Sequence, residues 1–322
     1  MGIDILSLVF TTFFLTIIFS KVSNALDMIS PSDSLTDGMT LVSNDGSFEL
    51  GFFTQGSSKN RMTPITDSTG LLKTETTGKV VLQAQNRTTV WSVNSTGGVG
   101  VRNPTLQLLN SGNLVVKDDI GDSENYWWQS FDYLTDTLLP GMKFGWDLRI
   151  GLSRRLAAWK NADDPSPGDL TYGIELQGNL EMVIQKGSVK YVRSGLWNGE
   201  GFTGSIYFRN NPFYTYDFIW NEEEVYYINF LKNKSVMSSV VLEQTGGERR
   251  RYTWNPETQA WQMYSVHPNN NCDTYGRCGP NGTYKGENED LELEVFELGT
   301  ISRATDGFSS NNKLGQGGDT SK

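Results

Sequence analysis

Reactive side chains are scarce in this chain, which has two Cys and one His among 322 residues. A zinc centre built on thiolates or imidazoles needs several such ligands, and a Ser/His/Asp triad would rest on His267 alone, so His- or Cys-based metal sites and triads are nearly excluded, while catalysis by carboxylates stays open. Positive charge is also short. The 27 Lys plus Arg face 37 Asp plus Glu, a formal charge of −10, which argues against nucleic acid as a partner because phosphate neutralisation needs a basic face. After the amino terminus no stretch approaches the roughly 20 apolar residues of a transmembrane helix. No convincing helical period precedes about residue 288. What is abundant is Gly (34), Trp (9), Tyr (13) and Phe (16), a mixture that favours turn-rich β structure.

Residues 6–19 (LSLVFTTFFLTIIF) form an apolar run followed by Ser23-Asn24-Ala25, whose small first and last residues suit signal peptidase. Residues 1–25 therefore read as a signal peptide, although the segment before the run carries Asp4 and no Lys or Arg. Four sequons follow, at Asn86, Asn94, Asn233 and Asn281, and agree with an extracellular surface. The expected product is secreted and soluble, with no membrane span of its own.

Short apolar segments at 47–53, 79–82, 105–116, 180–184, 189–192, 224–230 and 239–242 lie between Gly, Asn, Asp and Pro, the spacing of an all-β protein. One hairpin is legible at 240–254, where Gly246-Gly247 supplies the positive φ of the turn, and a second turns at residues 255–258. The block 127–143 (WWQSFDYLTDTLLPGMK) breaks the alternation and reads as a buried connector whose polar groups satisfy backbone donors.

Long motifs carry a family resemblance. Trp128-Gln129-Ser130-Phe131-Asp132, then Thr135-Asp136-Thr137-Leu138-Leu139-Pro140-Gly141, Asp164-Pro165-Ser166-Pro167-Gly168-Asp169, Ser194-Gly195-Leu196-Trp197-Asn198-Gly199 and Cys272-Asp273-Thr274-Tyr275-Gly276-Arg277-Cys278-Gly279 resemble the plant bulb-type (G-type) lectin S-domain receptor-like kinases and S-locus glycoproteins. The resemblance implies a bulb-lectin β-prism-like domain at 26–150, a β-rich S-locus glycoprotein domain at 151–270, the start of an EGF-like module at 271–285 and a flexible or isolated-helix tail at 286–322. In that family these domains serve recognition of pollen, self-incompatibility and defence signalling.

The chain also departs from the family. Near 60–61 about 20 residues are missing from the first lectin repeat, enough for two strands of about 5–6 residues, so a poorly packed region is expected at 54–66. Position 284 is Tyr where a third EGF cysteine is expected, and the sequence then passes to a segment similar to the one preceding a kinase domain. Leu314-Gly315-Gln316-Gly317-Gly318 resembles the opening of a kinase glycine-rich loop, but the chain contains none of the catalytic Lys, Asp or DFG residues that follow it in a kinase. Gly315 and Gly317 are thus a remnant, and no cofactor is implied. Cys272 and Cys278 would bond later cysteines in the family; here they either pair across five intervening residues or stay unpaired.

Bulb lectins bind mannose through a Gln-x-Asp-x-Asn-x-Val-x-Tyr strand. Residues 109–117 (LNSGNLVVK) keep Asn113 and Val115 of that pattern but have Leu109, Ser111 and Lys117 at the other positions, and 75–83 keeps only Val81. Each lost polar contact forfeits about 0.5–1.5 kcal/mol, so the residues argue against mannose binding, and Asn113 with Ser111 reads as a turn former. Asp132 with Asp136, or Asp163 and Asp164 with Asp169, are the carboxylates a glycosidase would use about 5–9 Å apart, yet Asp beside Pro or Gly usually forms turns. His267 reads as a surface loop residue, Glu222 to Glu224 as a solvated strand entrance, and Arg249 to Arg251 as a hairpin-end face. No catalytic or metal residue is assigned. The favoured function is a non-enzymatic recognition module whose partner is a protein or peptide, full-length S-domain receptors included. The alternatives are a fragment of a membrane receptor Ser/Thr kinase and a mannose lectin.

Overall fold

The structure is a computed structural model that describes residues 26–52, 70–84, 86–94, 103–118, 125–161, 164–176, 180–199, 201–203, 213–233, 236–268, 274–275 and 302. Chain contacts divide it into Met1–Gly279 and Pro280–Lys322. Of the second unit Ser302 alone is described, with helical geometry. The signal segment, residues 54–66, both cysteines, Asn281, Gly315 and Gly317 lie outside the described residues.

The first unit is built from strands, as its Gly- and aromatic-rich composition leads one to expect. The first ten are β1 (Met28–Ile29), β2 (Leu35–Thr36), β3 (Thr40–Val42), β4 (Glu49–Gly51), β5 (Leu71–Thr74), β6 (Val80–Gln83), β7 (Thr89–Val93), β8 (Pro104–Leu108), β9 (Leu114–Asp118) and β10 (Trp128–Gln129). They form antiparallel sheets in the orders β1-β8-β9-β10, β2-β5-β6-β7 and β3-β4. Ile29, Leu41, Leu50, Leu72, Leu106 and Trp128 from these sheets meet in one core. Sheets of two and four strands survive here because each turns one apolar face inward.

A 3-10 turn (Ser130–Asp132) leads to β11 (Thr137–Leu138), β12 (Phe144–Asp147), β13 (Leu152–Arg154), β14 (Leu156–Asn161), β15 (Asp164–Glu175), β16 (Glu181–Lys186), β17 (Val189–Leu196), β18 (Tyr214–Trp220), β19 (Glu224–Leu231), β20 (Ser238–Glu243), β21 (Glu248–Asn255) and β22 (Ala260–His267). Their sheets run β14-β15-β16-β17, β13-β12-β19-β18 and β11-β20-β21-β22, and enclose a second core that includes Phe131, Phe144, Leu156, Ile184, Val225 and Leu242. A fully buried side chain of this kind contributes about 1.5–3 kcal/mol. Gly145 allows β12 to lie against β19: its φ is +147°, and a Cβ there would stand 2.1 Å from the Val225 carbonyl oxygen.

Both expected hairpins form. Glu243 faces Glu248 across a turn in which Gly246 and Gly247 have φ of +89° and +67°, and Trp254 faces Trp261 across the next. Three expectations need correcting. Residues 105–116 are not one strand but the β8–β9 hairpin, because Gly112, at φ +83°, reverses the chain. The Pro165 and Pro167 segment is not a loop but part of the twelve-residue β15, tolerated because the β14–β15 register slips beside Pro167, where a missing N–H costs no ladder bond. His267 closes β22 opposite Arg249 and is half-buried rather than in a surface loop.

Candidate functional site

Of the residues retained from the sugar-binding strand pattern, Val81 is buried on β6, and Asn113 and Val115 lie in the β8–β9 hairpin. Its turn is closed by Leu109 N–H to the Asn113 carbonyl at 2.9 Å and by Gly112 N–H to the Leu109 carbonyl at 2.9 Å. Glycine is required at 112 for φ and also for space, since a Cβ would stand 2.6 Å from Cε1 of Phe48. Phe48 packs against both cores.

Asn113 begins β9 and is 4% exposed. Its Nδ2 donates to Gln129 Oε1 at 2.9 Å, and its Oδ1 accepts from Ser130 Oγ at 3.1 Å and from the Phe131 N–H at 3.2 Å. Ser130 Oγ in turn accepts the Leu114 N–H at 2.9 Å. Both acceptor positions of the amide oxygen and one of its two N–H donors are thus taken up inside the protein. Val115, the other position retained in this hairpin, is 0% exposed. Ser111 receives the Asn113 N–H at 3.3 Å.

The same contacts account for the Trp-Gln-Ser-Phe-Asp motif. Trp128 belongs to the first core, stacks on Tyr133 with ring centroids 6.1 Å apart and meets Trp91 edge-on at 6.1 Å. Phe131, three residues later, belongs to the second core. Gln129 Nε2 donates to Asp132 Oδ2 at 3.1 Å, and Asp132 Oδ1 accepts Arg154 Nε at 2.7 Å. Arg154, with only 6% of its side chain exposed, also lies 3.8 Å from Asp147 and 3.8 Å from Glu224. Arg149 pairs with Asp147 at 2.8 Å, and Lys143 with Glu224 at 2.7 Å. The Arg149 hydrogen bond holds the Asp147 carboxyl below the usual range, against a smaller opposing effect of burial. A continuous polar chain therefore runs from Asn113 through Gln129, Asp132 and Arg154 to the β12–β19 sheet.

Asp163 lies outside the described residues; the described acidic candidates are each engaged by neighbouring side chains. Asp132 is spent on Arg154. Burial pushes Asp136 up, opposed by hydroxyls of Thr137 at 3.0 Å and Thr135 at 3.3 Å. Asp164 is held down by Ser166, whose hydroxyl and N–H both donate to it. Asp169 accepts from Gln244 Nε2. The acidic run at Glu222 to Glu224 is not uniformly solvated: Glu223 has 69% of its side chain exposed, but Glu224 has 15% and joins the ionic network. The arginine run is likewise no simple surface face. Arg251 is buried over the Tyr214 ring at 4.4 Å, Arg249 lies 5.5 Å from the Tyr172 ring, and Arg250 pairs with Glu243 and Glu248, each at 2.8 Å.

The described sequon asparagines, Asn86, Asn94 and Asn233, are all exposed. Among the described residues no group of three His, Cys, Asp or Glu is placed to hold a metal, and no helix is long and apolar enough to cross a membrane. An open depression of about 410 Å³ lies beside the β8–β9 turn, lined by Asp27, Gln107, Leu109 and Asn110 among others. The Arg154 network escaped sequence reasoning, although a signal was present: Leu152, Arg154, Leu156 and Ala158 alternate, which puts Arg154 on an inward-facing position.

Residues 58–160 match the family described as D-mannose binding lectin, and residues 192–291 match the S-locus glycoprotein domain. The S-locus-specific glycoprotein S6 of Brassica oleracea is 37% identical over 83% of this chain and 66% of its own length. The receptor-like serine/threonine-protein kinase SD1-8 of Arabidopsis thaliana is 37% identical over 85% of this chain and 35% of its own length. The chain therefore spans about two thirds of the first relative and about a third of the second. A Marasmius oreades lectin superposes with a TM-score of 0.25 at 21% identity, covering 34% of this chain and 95% of that one, which is too slight to inform the site. With matched lectin and S-locus domains in one chain and this identity over most of its length, the protein belongs to the plant family of bulb-lectin S-domain proteins that includes the S-locus glycoproteins and the G-type lectin S-receptor kinases.

Proposed function

We propose that the chain is an extracellular, non-enzymatic recognition module that binds a protein or peptide and not mannose. One observation carries this reading: the two positions that residues 109–117 keep from the sugar-binding pattern, Asn113 and Val115, are buried, and the amide oxygen and one N–H of Asn113 are engaged by Gln129, Ser130 and Phe131. Protein recognition is supported by the exposed surface, where Trp220 is 65% and Met263 57% exposed, side chains of the kind that anchor protein interfaces. The exposed sequon asparagines support passage through the secretory pathway behind a signal peptide at 1–25. Relatives named as an S-locus-specific glycoprotein and a receptor-like kinase support a recognition or signalling role, for which pollen recognition, self-incompatibility or defence, with full-length S-domain receptors as partners, is the proposed setting.

The proposed organisation is a lectin domain at 26–150, an S-locus domain at 151–270, an EGF-like start at 271–285 holding Cys272 and Cys278, and a kinase-proximal remnant at 286–322 holding Gly315 and Gly317. The secreted chain, presented to a panel of S-domain receptor ectodomains in surface-binding measurements, is expected to bind at least one saturably. A flat response across the panel, and across secreted peptides of the same tissue, would overturn the protein-ligand reading. A second reading, a piece of a longer receptor kinase, is favoured by the 35% coverage of SD1-8. Sequencing of transcripts through the codons for 60–61 and 284–287 separates the two: reads that continue into a kinase domain support the second.

A further inference from the structure

We infer that N-linked glycans on Asn86 and Asn94 cap the two ends of strand β7 and keep that edge from pairing with other chains. This rests on the reading of the chain as a secreted protein. Strand β7 ends the β2-β5-β6-β7 sheet, and among the described residues β6 is its one strand partner. Such an edge presents a row of N–H and C=O groups that template the addition of a foreign strand. Proteins usually blunt such edges with Lys, Pro or another charge, but β7 reads Thr-Val-Trp-Ser-Val and has none, while its β-branched and aromatic residues favour the extended state.

The other edges of five or more residues are protected in other ways. Lys160 lies on β14, Lys190 and Arg193 on β17, and Asp217 on β18. Strand β22 carries none of these charges, but Phe213 sits against its Tyr264 with ring centroids 5.1 Å apart. On β7 a register shift leaves Val90 as an extra residue between the Gln83–Thr89 and Leu82–Trp91 pairs, which distorts the edge near its start and leaves Trp91 to Val93 regular.

The sequons fall at the two ends of this strand. Asn94 directly follows Val93, and Asn86 sits on the exposed turn that enters the strand, its Oδ1 accepting the Thr88 N–H at 2.9 Å. Nδ2, the atom that carries a glycan, is not used in that turn. Five extended residues span about 17 Å, so a bulky hydrated oligosaccharide at each end obstructs an incoming strand along most of the edge.

The test uses the full chain secreted from plant cells, with glycan occupancy read by peptide mass spectrometry and size by light scattering after gel filtration. Asn86→Gln/Asn94→Gln is expected to lose its wild-type elution peak to larger species. Asn233→Gln, which removes a glycan elsewhere, should keep that peak. Adding Ser92→Lys to the double variant places a charge on the exposed face of β7 and should restore it. The inference is overturned if the double variant elutes like Asn233→Gln, or if Ser92→Lys fails to rescue it, since self-association would then come from misfolding. Empty Asn86 and Asn94 in the wild-type protein also overturn it, and leave receptor binding to be judged separately.

Discussion

At Asp136 two forces compete for one carboxyl. Burial opposes its charge and is the larger effect, while hydrogen bonds from Thr137 and Thr135 favour it, so the folded-state pKa lies above the ordinary 3.8. A raised carboxylate pKa means that the folded state binds the proton more tightly than the unfolded chain does. The contribution of Asp136 to stability is accordingly full below 3.8 and is lost as pH rises through the folded value, so that at neutral pH the buried charge is a burden. Asp136→Asn is expected to match or exceed the wild type in unfolding free energy at pH 7. That advantage should shrink as pH falls toward 3.8, as followed by urea unfolding at a series of pH values. Asp164 behaves oppositely: Ser166 holds its pKa down, and its contribution, present above 3.8, fades on acidification through the lower folded value.

Among the elements, strand β13 carries the least expected residue. Alternation through Leu152, Arg154 and Leu156 turns a guanidinium toward the interior, where it meets Asp132, Asp147 and Glu224. Breaking a buried ion pair by removing one partner costs about 3–5 kcal/mol. Asp147 keeps Arg149, Glu224 keeps Lys143 and Asp132 has 26% of its side chain exposed, so Arg154→Met is expected at the lower end, a loss of about 3 kcal/mol in urea unfolding. The double variant Arg154→Met/Asp132→Leu should recover part of that loss, because it leaves no orphaned carboxylate. Both hairpins of β20 to β22 were legible in the sequence, because the glycine pair of one turn and the Asn-Pro of the other report backbone geometry locally. Strand β15 was not, since Asp-Pro-Ser-Pro-Gly-Asp has turn chemistry and is held extended by its pairing with β14, the β16 ladder beginning only at Leu170. Asn113 was legible as a structural residue, but its partners were not, because Gln129 and Ser130 come to it only when the two cores close.

Across the whole first unit, two β cores are joined through one short segment. Trp128 serves one core and Phe131 the other, Phe48 packs on both, and Asn113 ties the β8–β9 hairpin to the segment between them. In this arrangement the position that would face a sugar holds the molecule together instead. Losing the Asn113 amide would leave the buried Phe131 N–H without its acceptor, at a cost of about 1–3 kcal/mol. The most direct test of this account is calorimetric titration of methyl α-mannoside into the wild-type protein and Asn113→Ala, paired with thermal unfolding of each. The account predicts no saturable heat from either protein and a lower unfolding temperature for Asn113→Ala. Saturable mannoside binding by the wild type, abolished in Asn113→Ala at unchanged stability, would contradict it.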